Sequence, residues 1–450
     1  MKSSKLKCGQ DGSQQVGLSC RERLKRSDQS TWDAGRRSHD PVELLMAVNK
    51  GRIPELLPIK MGRMAASPFG FFRGAVPLMA ADLATLPVTK IEVQICGDAH
   101  VRNMGCFAAP DSRLIFDIND FDETVWGPWE WDVKRLATSL ILAGREAGNS
   151  DRLCQQSVQL LVRAYREAML RFAKMPRLEL ARIRIHRLPE GDPVRSVLHK
   201  AARATPLQNL EKLTTVRRDG SRIFKEAKPF LTRVGNPLSA TILRALGSYR
   251  DTLAPERQHV LGFYRPVDIA FKVVGTGSVA THDYVVLHFG NGSQDPLFLQ
   301  IKEEPPSAYA PYLHLRNLRN ANSVGNQGQR VVEGQRRMQT QSDLLLGWTR
   351  FGGRDYLVRQ LSDHKASIDN EDLDGKGILL YAHTSGEILA KGHARSGDPC
   401  VLAAYIGSGA KLDKAIGKFA IAYADQTTLD YERFRDSIRN GRIKASRHPF

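Results

Sequence analysis

Apolar positions along this chain change period several times. Ile91, Val93 and Ile95 alternate with polar residues and Leu114–Ile118 is a second short apolar run, so residues 88–124 read as strand, turn, strand. Pro128 follows where the first turn of a helix tolerates it, with Val133, Leu136, Leu140 and Ala143 at helical spacing behind it. Residues 150–260 are mostly helical and basic in pattern and poor in motifs. Strand character returns at 269–302, where Val273-Val274 runs into Gly275-Thr276-Gly277-Ser278, and segments 284–289 and 296–302 flank Asn291-Gly292, a strong hairpin signal. Residues 328–347 predict a helix with Val331, Glu333, Met338 and Leu345; then come a strand at Tyr356-Leu357-Val358 and helices over 377–395 and 411–437.

Residues 1–40 are rich in Lys, Arg, Ser, Gly and Gln with almost no periodic apolar position, and predict a mobile basic arm. The compact segment 63–74, Arg-Met-Ala-Ala-Ser-Pro-Phe-Gly-Phe-Phe-Arg-Gly, offers aromatic rings for packing and arginines for an anion. The 66 Lys+Arg against 48 Asp+Glu give a formal charge of +18, which attracts nucleotides, nucleic acid or an acidic partner without choosing among them. The Arg/Lys-rich stretch 163–187 is either a solvated helix face or a docking surface. The six cysteines lie far apart with no C-x-x-C pair, which argues against a zinc module or a disulfide framework and fits a reducing cytoplasm. The first twenty residues contain no apolar leader and the apolar stretch 136–143 is too short to cross a bilayer, so a soluble cytoplasmic chain with no membrane partner is expected.

Chemistry concentrates in Cys96-Gly97-Asp98-Ala99-His100-Val101-Arg102-Asn103 and in the run from Leu114 through Asp117-Ile118-Asn119-Asp120-Phe121-Asp122-Glu123. Asp117, Asp120 and Asp122 crowd the end of an apolar strand, where they repel one another unless a cation neutralises them. Magnesium, which takes carboxylate and amide oxygens, suits Asp and Asn better than the His/Cys sets of zinc. If the strand runs past Ile118, Asp120 and Asp122 share one face and Asp117 takes the other, which leaves open which of them bind. The order Asp-x-x-x-x-Asn, strand, Asp is that of the kinase catalytic loop and its metal aspartate. In that order Asp98 orients or deprotonates an acceptor hydroxyl, while Asn103, Asp120 and Asp122 hold magnesium on the phosphates of ATP. The plainer reading is a turn in which Asp98 bonds backbone amides.

Residues 97–103 resemble the G-D-x-H-x-x-N loop of aminoglycoside phosphotransferases and choline kinases, and Asp120-Phe121-Asp122 resembles their metal-binding D-F/W-x segment. Pro128-Trp129-Glu130-Trp131-Asp132-Val133 resembles the P-x-x-D-L that follows there, whose Asp braces the catalytic loop. The resemblance assigns that role to Asp132, which is equally an aspartate favoured by a helix amino terminus.

A kinase also needs a phosphate-covering loop, a strand lysine and a helix glutamate that holds the lysine. The candidates lie downstream. Gly275-x-Gly277-Ser278 brings backbone amides near phosphate, although Ala280 occupies the last glycine position of the full pattern. Lys302 alternates with Leu297, Leu299 and Ile301 and so points away from their face. Glu333 is the helix partner, with Glu303 and Glu304 as competitors.

The two halves stand in inverted order, as in a circular permutant. The implied fold is α+β: a kinase-like bilobal fold, circularly permuted, with a helical insertion. Its parts are the arm at 1–40, the catalytic-loop part of one lobe at 41–150, the helical insertion at 151–265, the nucleotide-binding β part at 266–365 and a closing helical part at 366–450.

Over about residues 40–440 the chain resembles the bacterial domain of unknown function 2252 family. The match runs through the segment 63–74, the catalytic-type loop, N-D-F-D-E at 119–123, W-D-x-K-R-L at 131–136, G-x-G-S at 275–278, L-Q-x-K-E at 299–303 and K-G-H-A-R-S-G-D at 391–398. That resemblance implies no activity. The expected activity is magnesium- and ATP-dependent phosphotransfer to a hydroxyl acceptor left open among small alcohols, sugars, antibiotics and protein side chains. Rivals are a metallophosphoesterase built on Asp98-x-His100 and Gly392-His393-Ala394-Arg395, for which no G-N-H segment exists, and a degenerate pseudokinase that binds polyanions.

Overall fold

The alternating strands expected at 269–302 form the middle of a six-stranded antiparallel sheet in a computed structural model that describes residues 3–109, 111, 113–184, 192–203, 205–313, 325–361 and 366–446. Its order is Leu231–Arg233, Arg265–Lys272, Asp283–Phe289, Pro296–Glu303, Arg354–Gln360, Gly347–Phe351. Gly292 turns the central hairpin at φ +85°, a conformation open to glycine, and Asp295 accepts from the Asn291 amide at 2.9 Å to close it. Leu297, Leu299 and Ile301 fall on one face and pack with Val286, Val358, Ile242 and Tyr249 beneath the helix Asn236–Arg250. Phe298, Gln300 and Lys302 therefore take the other face, with Lys302 opposite Asp283 and Leu357.

A second, larger core is built by the helices Trp129–Glu146, Asp151–Phe172, Lys376–Ser396 and Lys411–Arg439. Leu136, Leu140, Leu161, Ile388 and Phe419 meet there, all fully buried. Two small sheets sit on this core. Glu92–Ile95 pairs with Val125–Pro128, and Met104–Ala108 lies between Leu114–Ile118 and Ala366–Ser367. The chain is thus mixed α+β with several antiparallel sheets, and no helix among the described residues is long and apolar enough to cross a membrane.

Three expectations need correction. The described part of the expected mobile arm, residues 3–40, packs on the core instead: the helix Ser3–Arg23 lies along Pro399–Ile406, and Cys20, Leu24 and Gln29 are buried. Gly17 permits the approach, since a Cβ there would stand 2.3 Å from the Val401 carbonyl, and Arg21 donates to the Tyr405 carbonyl at 2.8 Å. Residues 151–265 do not form a separate helical insertion. Asp151–Phe172 belongs to the large core, whereas Leu231–Arg233 and Asn236–Arg250 belong to the six-stranded sheet and its cover.

The helix expected over 328–347 is Gln327–Met338. Beyond it the Asp343 side chain accepts from the amides of Leu345 at 2.8 Å and Gln360 at 2.7 Å, a local alternative to helical bonding. The basic stretch 163–187 is largely paired, with Arg163 on Glu167, Arg171 on Glu387 and Arg177 on Asp398, and its last three positions lie outside the described residues.

Candidate functional site

The strand Glu92–Ile95 delivers the chain into a loop that can be traced residue by residue. Gly97 turns at φ +81°, and a Cβ there would stand 2.3 Å from the Glu123 carbonyl, so the turn requires glycine. Asp132, in the first turn of Trp129–Glu146, accepts from the amides of Cys96 at 2.8 Å and Gly97 at 2.9 Å. His393 reaches the same carboxylate at 3.2 Å and holds the Tyr165 hydroxyl at 2.8 Å through its other nitrogen. All three side chains are buried, which fixes the backbone immediately before Asp98.

Asp98 meets Arg135, whose Nε lies 2.7 Å away. Arg135 is fully buried, sits over the Phe72 ring at 4.3 Å and donates to the Phe72 carbonyl at 3.2 Å. Burial raises the Asp98 carboxyl above its ordinary range despite the opposing charge of Arg135. The other Asp98 oxygen faces His100 Nε2 at 3.7 Å; burial drives that imidazole well down, so it is neutral, and its Nδ1 accepts from the Arg102 amide at 3.1 Å. Asn103 donates to the Asp98 carbonyl at 3.0 Å, and its amide oxygen accepts no hydrogen bond from the described residues.

The acidic run ends its strand at Ile118, and the three aspartates part company. Asp117 turns into the helical core onto Lys391, both buried, which removes it from the site. Asp120 and Asp122 occupy the turn beyond, where the Asp120 carboxylate accepts from the Asp122 amide at 3.2 Å. Lys302 arrives from the six-stranded sheet and its ammonium group is bonded to Asp122. Burial opposes ionisation of Asp122, but Lys302 outweighs it and holds that carboxyl down at about 2; burial and then the Asp122 charge push Asp120 up to about 6.

Glu333 is not the partner of Lys302. It lies half exposed on its helix, bonded to Arg337 at 2.9 Å and Gln329 at 2.8 Å. Glu304 stands in that place instead, 4.0 Å from the Lys302 ammonium and buried, with neither oxygen hydrogen-bonded. Burial pushes its carboxyl well up. Sequence reasoning also passed over Arg330, whose guanidinium donates to the carbonyls of Asp122, Thr124 and Pro305 at 2.9, 2.7 and 2.9 Å. It ties the helix Gln327–Met338 to the acidic turn.

Gly275, Gly277 and Ser278 face Asp98, Asn103, Asp120 and Asp122 across one cavity of about 520 Å³. Gly275 lies at φ +68° and Ala280 at φ +71°, an unfavourable conformation for a residue with a side chain. Arg52 donates to the carbonyls of Gly277 at 2.9 Å and Val279 at 2.8 Å, and Arg63 to that of Gly275, so the loop is pinned by its carbonyls. The site thus gathers Asp98, Asn103, Asp120, Asp122, Lys302 and the glycine loop, with Asp132 one layer behind. Glu333 stays outside.

The donor set fits magnesium. Asp120 and Asp122 supply adjacent carboxylates, one Asp122 oxygen is buried without a partner, and the Asn103 amide oxygen is free of described donors. No cluster of three or more His, Cys, Asp or Glu that could hold a metal occurs among the described residues.

The family model described as an uncharacterized protein conserved in bacteria (DUF2252) matches residues 52–437. Neither the curated proteins nor the solved structures contain a match to the chain.

Proposed function

We propose that this chain, which belongs to the bacterial DUF2252 family, is a phosphotransferase that uses magnesium and ATP, on a kinase-like bilobal fold whose two halves follow in circularly permuted order. The observation that carries the reading is the bond between Lys302 and Asp122, which joins segments far apart in sequence beside the cavity that Asp122 lines. A buried lysine among carboxylates beside a glycine loop matches what a nucleotide triphosphate needs: a cation for its oxygens, backbone amides for its charge, and acids for its metal.

Each residue then has a task. Magnesium, when bound at Asp120, Asp122 and Asn103, supplies charge neutralisation on the phosphates. Lys302 would meet phosphate oxygens, with Glu304 standing 4.0 Å from its ammonium group, and Asp122 would be among the residues that hold the metal. Asp98 orients the acceptor hydroxyl and receives its proton as the bond from acceptor oxygen to γ-phosphorus forms and the bond to the ADP oxygen breaks. Arg135 keeps one Asp98 oxygen occupied, leaving the other for the hydroxyl. Asp132 positions this loop through the Cys96 and Gly97 amides.

The phosphoesterase reading loses support because the His393 ring nitrogens are engaged by Asp132 and Tyr165, and Arg395 by the carbonyls of Ala181 and Gln339. The test is magnesium-dependent ATP turnover, with water standing in for the acceptor. Asp98→Ala is expected to lower it by about 10²- to 10⁴-fold and to leave ATP affinity within about twofold. Unchanged turnover in Asp98→Ala removes Asp98 as the base, and salt-sensitive polyanion binding without nucleotide binding favours the degenerate reading.

A further inference from the structure

One wall of the cavity carries cations that the phosphotransfer reading leaves unused. Lys60 and Arg73 both line it, from the helices Leu57–Met64 and Pro68–Gly74. Lys60 is 3% exposed, and its ammonium group donates to the neutral Asn49 amide oxygen at 2.8 Å. The Arg73 side chain makes no hydrogen bond or ion pair with the described residues, and its Nε is buried without a partner. Burial lowers the pKa of both groups, Arg73 to about 10.

Most acids around the cavity have partners of their own. Asp98 is met by Arg135, Asp122 by Lys302, Glu123 by the Ala308 amide at 2.6 Å and Glu303 by His282 at 2.6 Å, while Asp120, bonded to the Asp122 amide, acts on Arg73 from a distance without pairing with it. Buried cations without a bonded anion are costly, and the cost is relieved when a ligand brings one.

The geometry points to a subsite at Lys60 and Arg73 for an anionic group of the acceptor, so that the phosphoryl acceptor is a hydroxylated molecule carrying a phosphate ester or a carboxylate. This rests on the phosphotransfer reading. There the triphosphate is met by Lys302, the glycine loop and the metal at Asp120, while Lys60 and Arg73 come from the separate segment 52–74. Arg73 lies within electrostatic reach of Asp98, the residue that would face the acceptor hydroxyl. An acceptor with its anion on these two cations and its hydroxyl at Asp98 spans one cavity, and a neutral alcohol would leave both cations unpaired.

The probe is inorganic phosphate, titrated calorimetrically into the full chain with and without magnesium and a non-hydrolysable ATP analogue. Phosphate is expected to bind at one site alongside the nucleotide analogue, and Lys60→Met and Arg73→Gln are each expected to weaken it tenfold or more. Arg73→Lys, which keeps the charge, should recover part of the loss. Unfolding midpoints establish that each variant is folded, and if Lys60→Met is not, the Arg73 pair decides. Phosphate that fails to bind, or that binds the folded variants as well as the native chain, overturns the subsite while nucleotide binding leaves phosphotransfer intact. Competition between phosphate and nucleotide overturns the acceptor assignment and gives these cations to the triphosphate. Phosphate held by Lys60 and Arg73 in a chain that takes no nucleotide removes the phosphotransfer reading and leaves only an anion site.

Discussion

Two lysine–aspartate pairs made of the same groups, Lys391 with Asp117 and Lys302 with Asp122, begin on aspartates five positions apart in sequence and end in different surroundings. Both side chains of the first are 2% exposed and the helical core encloses them. In the second, Lys302 is 3% exposed but Asp122 is 23% exposed and borders the cavity. The first pair has no other acid bonded to it, whereas the second gathers Asp120 and Glu304 around one ammonium group. A closed pair holds a fold together, and a crowded pair with carboxylate oxygens to spare is arranged for a further cation. Burial and pairing alone do not separate the two roles; surplus charge does.

Breaking the closed pair should have the largest effect on stability. Lys391→Met leaves Asp117 in the core without its partner and is expected to cost about 3–5 kcal/mol, the effect of breaking a buried pair by removing one member. A shift in the urea midpoint measures it, and adding Asp117→Leu should restore most of the loss. A Lys391→Met chain with native stability would mean the pair is not closed.

A smaller effect sharpens the crowded side. Glu304 holds its proton to higher pH when folded than when unfolded, since burial disfavours its charge. The folded chain therefore binds more protons above the ordinary carboxyl range of about 4.3, and stability falls as pH climbs through that window. Glu304→Gln should outlast the native chain in urea at pH 8 and lose the advantage at pH 4. Equal stability at both pH values would show that Glu304 ionises freely.

The smallest effect concerns the glycine loop. Ala280→Gly relieves a positive φ worth about 1–2 kcal/mol against about 0.5–1 kcal/mol of added chain entropy in glycine. A gain of at most about 1.5 kcal/mol is expected by thermal unfolding, and a loss would mean that the Ala280 methyl group packs more favourably than its backbone conformation costs.

Much of this arrangement was legible in the sequence, and for identifiable reasons. Asn291-Gly292 declared the hairpin, and alternation set Lys302 opposite Leu299 and Ile301, because strand periodicity is local. The loop 97–103 announced itself through glycine, aspartate and asparagine at fixed spacing. What failed depended on distant partners. Nothing near Asp117 marks Lys391 as its neighbour, and a glutamate on a helix gives no sign that Arg337 and Gln329 already satisfy it. Arg330 looks like a solvated helix arginine until its three carbonyl partners are in place. The first forty residues appeared too polar to pack, yet small residues Gly17 and Cys20, three apart on one helix face, were a signal of close approach.

Calorimetric titration of ATP with magnesium into the native chain and Lys302→Met bears most directly on the phosphotransfer account. The account predicts one magnesium-dependent site in the native chain, weakened at least tenfold in Lys302→Met. Native chain that takes no ATP, or Lys302→Met that takes it equally well, would contradict it.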